Sequence, residues 1–206
     1  MTPVARPSKR LERRAQLVQA ALELIQERGF DALSIRDLAD RAEVSTATVH
    51  YYFEDLDGLL TEVHSLASER FITDRTTAIA RYDDARAKLT EMIRAALPQS
   101  PDEAITVALY SIDSAKRADP VRAQLGTHLY DQQVMMYHAI LQLGVGQGHF
   151  TLTEPSLDIA QNLVGLEDAY CMHIIERNAS LPLKRCLELM FSYARSATGC
   201  PELGRE

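Results

Sequence analysis

Residues 34–53 read SIRDLADRAEVSTATVHYYF, and their spacing predicts two short helices joined by a tight turn. Ile35, Leu38, Ala39 and Ala42 recur at i, i+3, i+4 and i+7, the period of one apolar helix face. Ser34 stands just before that stripe and Asp37 follows three residues later. Hydroxyl and carboxylate can therefore satisfy free N–H groups of the first turn. Glu43-Val44 interrupts the period, and Ser45 is placed to cap a second helix from about Thr46. On that helix Val49 and Phe53 turn inward, while Ala47, His50 and Tyr51 share the opposite side, with Thr46 beside them. A capped two-turn helix exposing small, hydroxyl and aromatic groups is shaped for a major groove.

Outward from this stretch, the period of 3.6 continues in both directions. Residues 8–28 form a predicted helix in which Leu11, Ala15, Val18, Leu22 and Ile25 make a stripe. Gly29 ends it, and Phe30 and Leu33 pack under the next helix. Asp55 caps a long helix over 56–81. Further helices are expected over 83–97, from Pro101 to about 118, from Pro120 onward, and over 155–178 and 182–197, with proline at several first positions. The run Gly144-x-Gly146-x-Gly148 follows no strand and precedes no Gly-Lys-Ser/Thr, so it reads as a helix end and turn rather than a phosphate loop. Cys200-Pro201 and the charged end read as a frayed tail. The fold class is all-α, about nine helices, divided into residues 1–54 and 55–206.

Composition narrows the function. No run of about eighteen uncharged apolar residues occurs, which argues against a membrane span. The start, MTPVARPSKRLERR, lacks an apolar core and is not a secretory signal. Cys171, Cys186 and Cys200 are an odd set without C-x-x-C spacing, which fits a reducing cytoplasm and gives neither a disulfide framework nor a zinc site. The net charge of −7 argues against nucleic acid at first sight, and residues 1–60 alone hold eight Lys/Arg against ten Asp/Glu. Counterion release depends, however, on the charges that touch phosphate. Arg6, Lys9, Arg10, Arg13 and Arg14 crowd the first fourteen residues against a single Glu12, as in an arm that grips a DNA backbone.

These residues together resemble the DNA-binding domain of TetR-family transcriptional regulators, over roughly the first quarter of the chain. The resemblance implies an N-terminal three-helix helix-turn-helix domain followed by a helical ligand-binding and dimerisation domain. It implies contacts to double-stranded operator DNA from Arg10, Arg14, Ser34, Arg36, Ser45, Thr46, Ala47, Thr48, His50, Tyr51 and Tyr52. Tyr51 is expected on phosphate, and His50, which stands where the family often has tyrosine, on a base. Thr48 and Tyr52 turn partly toward the core. Two positions depart from the pattern: Glu43 replaces a turn glycine, and Leu56 replaces a lysine common at the start of the long helix. The family pattern also implies a homodimer through the last two helices, whose apolar residues (Leu157, Ile159, Leu163, Leu166 and Ile174; Met190, Phe191 and Tyr193) spread over more than one side.

The second domain holds polar groups in apolar company. Tyr110, Asp113, Tyr137, Glu167 and Tyr170 are the candidate contacts to a small organic effector. Ser114, Tyr130, Gln133, His138, Asp168 and His173 lie near them in sequence. Aromatic rings with a few carboxylates suit a cationic or amphiphilic molecule. Ala118-Asp119-Pro120, Gly148-His149-Phe150 and Leu166-Glu167-Asp168 are loosely similar to the choline-responsive branch of the family, without implying that ligand. A helical metal oxidase would need Glu-x-x-His pairs on facing helices, and the chain has none. No H-E-x-x-H, G-x-S-x-G or P-loop is present, so neither an enzyme nor a cofactor is expected. A structural adaptor without DNA binding draws only on the acidic balance, Glu43 and Leu56.

Overall fold

The structure, a computed structural model, describes residues 9–29, 33–115 and 120–205, without the side chains of 113–115 and 122. Arg6, Phe30 and the 118–119 stretch singled out above lie outside the described residues. The elements are α1 (Lys9–Arg28), α2 (Ile35–Arg41), α3 (Thr46–Tyr52), α4 (Leu56–Ala80), α5 (Ala85–Ala96), α6 (Ala104–Ala115), α7 (Pro120–Gly146), α8 (Ser156–Ile175) and α9 (Leu183–Thr198). No strand occurs among the described residues, so the fold is all-α. None of these helices is long and apolar enough to cross a membrane.

Caps set the short elements as their sequence requires. Ser34 accepts from the Asp37 N–H at 3.2 Å, and its own hydroxyl donates to the Asp37 carboxylate. Ser45 accepts from the Thr48 N–H at 3.1 Å, and Asp55 from the Gly58 N–H at 2.9 Å. Each satisfies a donor that the first helical turn leaves open. Between α2 and α3 the chain reverses through Glu43, whose φ of 53° lies in the left-handed region. A residue with a Cβ pays about 1–2 kcal/mol to sit there. Glu43 thus takes at this turn a conformation that glycine would adopt without that strain.

Two apolar cores result. The first joins α1, α2, α3 and the front of α4 with Ala108, Leu109 and Ile112 of α6. The boundary expected between residues 54 and 55 falls in the α3–α4 loop, yet this core runs across it. The second core is built from α5, α7, α8 and α9 and centres on Leu89, Met92, Tyr137, Leu141, Ile159, Leu163 and Met190. α4 joins the two, from Leu59 in the first core to Ile79 against the second, as does α7 from Leu129 to Leu141.

Four expectations need correction. The stripe of α1 begins only at Val18: Leu11 is 59% exposed and Ala15 is exposed too, whereas Leu17, Ala21 and Leu24 are buried. The C-terminal half of α1 packs against α2, α4 and α6 and is covered on more than one face, while its first turns overhang the core. α6 starts at Ala104, three residues after Pro101, because the Glu103 carboxylate holds Gln99 N–H at 2.9 Å and Thr106 Oγ1 at 3.1 Å, making a separate turn of the preceding residues. α8 stops at Ile175, where Arg177 takes a φ of 57° and the Asn178 N–H closes on the His173 carbonyl at 2.9 Å. The C-terminal end does not fray. Thr151 and Thr153 N–H groups donate to Thr198 and Ala197 carbonyls, Leu203 is buried, and Arg195 holds the Leu203 carbonyl at 3.1 Å.

The glycine run closes α7 as a helix end and turn. Gly144 meets the Phe150 ring so closely that a Cβ would lie 2.0 Å from it, and Gly148 reverses the chain at a φ of 71°.

Candidate nucleic-acid interface and binding cavity

α3 is anchored from one side only. Val49 and Phe53 are buried, while Thr46, Ala47, His50 and Tyr51 are exposed; Thr48 and Tyr52 are half-buried, as their position on the helix requires. Tyr51, 67% exposed, stands edge-on to Tyr52 with ring centroids 5.1 Å apart. The Arg10 guanidinium of α1 lies 5.7 Å from the Tyr51 ring centre, so a cation and a phenol share this outer surface. Arg36 is exposed on α2, and Ser34 and Ser45 flank the turn. His50 Nδ1 is 3.4 Å from the Glu54 carbonyl, too long to fix the ring. A base edge would thus meet His50 with its ring free to orient.

Arg14 is placed differently from the other basic residues named for DNA. Its Nε lies 2.7 Å and 2.9 Å from the two Glu62 oxygens, Nη2 lies 2.5 Å from Oε1, and Nη1 donates to the Tyr52 carbonyl. Its guanidinium also covers the Phe53 ring at 4.3 Å. Arg41 is likewise held inside the unit, by Glu27 and Glu23, and Arg28 by Asp37 at 3.2 Å. Arg10 and Arg36 are exposed.

The second domain contains a cavity of about 400 Å³ between α4, α6, α7 and α8. Phe71, Leu109, Tyr110, Leu129, Tyr130 and Met172 give it apolar and aromatic walls, and Gln133 and Asp168 give it polar points. Tyr110 donates to Asp168 at 2.7 Å, and burial pushes its phenol well above the ordinary range, so it remains a neutral donor. Behind the wall lies a buried ion pair, Arg75 of α4 with Glu167 of α8, at 2.6 Å and 2% and 0% exposed. Gln133 and Tyr137 donate to the same carboxylate at 2.8 and 3.2 Å. Arg75 donates on to the Ala96 carbonyl at the end of α5 and stacks 3.5 Å from the Phe71 ring. Burial pushes the Glu167 carboxyl up, and the Arg75 charge beside it pulls it down.

Of the residues expected around an effector, the cavity gathers Tyr110 with Asp168 beside it. Tyr137 and Glu167 stand one layer behind, consumed by the ion-pair network. Tyr170 is half-buried against the second core and does not line the cavity. Asp113 lies on α6, and its side chain is outside the described residues. Sequence reasoning missed Phe71 as a cavity wall and Arg75 altogether. A signal was present: Leu59, Val63, Ala67, Phe71 and Arg75 form an unbroken i+4 ladder, and all five are buried. A cation on an apolar ladder needs a buried anion.

Residues 17–63 match the family profile described as bacterial regulatory proteins, tetR family. The HTH-type transcriptional regulator BetI of Burkholderia cenocepacia (strain HI2424) is 40% identical over 85 residues, which is 40% of this chain and 43% of that protein. BetI of Burkholderia mallei (strain NCTC 10229) is 41% identical over the same shares. The chain thus spans less than half the length of the curated relatives it matches. In fold, it superposes with a TM-score of 0.80 on a TetR transcription regulator from Haloarcula marismortui ATCC 43049, at 21% identity over 91% of this chain and 99% of that one. A protein from Saccharomonospora viridis, solved in complex with choline, gives a TM-score of 0.82 at 18% identity over 91% and 98%. Both likenesses run through the second domain as well as the first.

Proposed function

We propose, from the match of residues 17–63 to the tetR family of bacterial regulatory proteins, that the whole is a ligand-responsive transcriptional regulator. It acts in the cytoplasm as a homodimer, represses by holding a palindromic operator, and lets go when a small organic molecule enters the second domain. The observation that carries this reading is α3, buried through Val49 and Phe53 and open through Thr46, Ala47, His50 and Tyr51. Such a helix can lie in a major groove without unfolding anything behind it. Tyr51 and Arg10 hold the phosphate backbone, Arg36 and Ser34 support them from α2, and His50 and Thr46 read base edges.

Two copies bind better than one because the second contact becomes intramolecular. The outward side of α8 carries Leu157 and Gly165, with no atom near the Gly165 Cβ position, and Asn162 bridges to Tyr193 of α9 at 2.9 Å. A matching helix pair can approach closely there. The cavity, with Tyr110, Tyr130, Phe71 and Asp168, suits a cationic or amphiphilic effector. Effector and operator must weaken each other equally, because the coupling free energy is shared.

Selection of duplexes from a random library by the full-length protein, followed by footprinting on the region upstream of its own gene at low salt, tests the reading. An enriched palindromic sequence, protected on both half-sites, is expected. The absence of both an enriched sequence and a footprint would overturn it.

A further inference from the structure

Arg14 lies in the second turn of α1 beside Arg13, in a basic run whose composition suggests contacts to phosphate, but its neighbours assign it other work. One guanidinium meets three elements: Glu62 on α4 through Nε and Nη2, the carbonyl of Tyr52 at the end of α3 through Nη1, and the Phe53 ring that seats α3 in the core. A cation at a helix C-terminus complements the partial negative charge there. The planar fork of arginine can serve a carboxylate and a carbonyl together, which an ammonium cannot do in the same geometry. Glu62 lies one turn beyond the start of α4, the helix that continues to the cavity wall at Phe71.

We propose that Arg14 and Glu62 are positioning residues that set the angle of α3 against α4. An acidic residue, Glu62, therefore promotes sequence-specific DNA binding. Charge alone predicts the opposite, since removing a carboxylate from the DNA-binding end weakens repulsion of phosphate. The inference rests on the reading of α3 as the DNA-contacting helix.

The test compares full-length wild type with E62Q, R14K and R14Q on two probes: the duplex enriched by wild type from a random library, and a scrambled duplex of the same composition. Melting temperatures are recorded alongside. E62Q and R14K are each expected to lose about tenfold on the enriched duplex, the size of one misplaced base contact. Binding to the scrambled duplex should change less than about twofold, and the salt slope should stay that of wild type, because no phosphate contact is lost. A merely structural role would lower the melting temperature and both affinities together.

The proposal is overturned if E62Q binds both duplexes as tightly as wild type or tighter. It is also overturned if R14K matches wild type while R14Q alone weakens both probes with a shallower slope, the pattern of a phosphate contact. Should E62Q melt below the assay temperature, E62D keeps the charge and shortens its reach, and the same selective loss is expected of it. If wild type enriches no duplex, the DNA-binding reading itself falls, a result distinct from an unaffected E62Q.

Discussion

Between Lys9 and Phe53 the described buried side chains are all apolar, whereas from α4 onward the interior also hides His64, Arg75, Thr106, Gln133, Ser156, Glu167 and Thr198. The first region is a dry core under a polar skin. The His50 imidazole and the Tyr51 phenol face outward from α3, while the Ser34 and Ser45 hydroxyls cap α2 and α3. The second region spends polar groups inside itself, and Arg75 is the extreme case. A buried ion pair gains little over apolar packing of the same shape. What it gives is direction, because the Arg75 guanidinium reaches both the Glu167 carboxylate and the Ala96 carbonyl only while α4, α5 and α8 keep this arrangement. An apolar core fixes a surface, whereas a polar node fixes a relation between helices.

That contrast is most exposed to test at Glu167. Glu167→Ala leaves the Arg75 charge buried without its partner and should cost about 3–5 kcal/mol in urea unfolding. The paired change Arg75→Met with Glu167→Leu should return stability to near wild type; a single change costing under about 1 kcal/mol would erase the distinction. In the dry core the corresponding probe is Leu38→Ala, expected to cost about 3 kcal/mol by lost transfer energy and the cavity left behind. No second substitution to another small residue should rescue it, because packing there is a matter of volume alone.

Smaller effects sharpen the comparison at the edges. Glu43→Gly should raise stability by about 0.5–1 kcal/mol, since glycine takes a positive φ without the Cβ clash but gives up more freedom on folding. Calorimetry would read this as a higher melting temperature. Smallest is a surface charge at the rim of the second domain. The Arg86 side chain, with backbone N–H groups of Arg86 and Ala87, holds the Asp84 carboxyl well below its ordinary 3.8. A depressed carboxyl stabilises the fold at pH above 3.8, and that contribution disappears as pH falls further. Asp84→Asn should therefore lower the melting temperature slightly at pH 7 and flatten its acid limb, the two profiles converging below pH 4, with solvent screening keeping the whole effect small.

The outer surface of α3 was legible in the chain because everything that shapes it is local. Caps at Ser34, Ser45 and Asp55 act within three residues, and Val49 and Phe53 differ from His50 and Tyr51 by helix geometry alone. Legibility failed where distant segments decide. Leu11 has the spacing of a core residue, but it is 59% exposed at the start of α1. Arg14 has the company of a phosphate contact, and only the approach of Glu62 across 48 residues of chain turns it inward. Tyr110 and Asp168 were recognisable as polar groups in apolar surroundings, yet which of their neighbours line a cavity and which back it depends on how four helices close. Glu167 was selected for a ligand and belongs to Arg75. The aromatic character of the cavity was readable; its depth was not.

The last turn carries a practical consequence. Leu203 is seated in the second core and Gly204 presses on the Phe191 ring so tightly that a Cβ would lie 2.5 Å from it. Trimming the chain after Gly199 would remove Cys200 and Leu203 from the second core and, with Gly204 gone too, uncover the Phe191 ring, leaving apolar surface at the foot of α9. A purification handle joined there needs a spacer beyond Arg205, and a protease that nibbles inward from that end would be felt first as aggregation, before any change in DNA or effector binding.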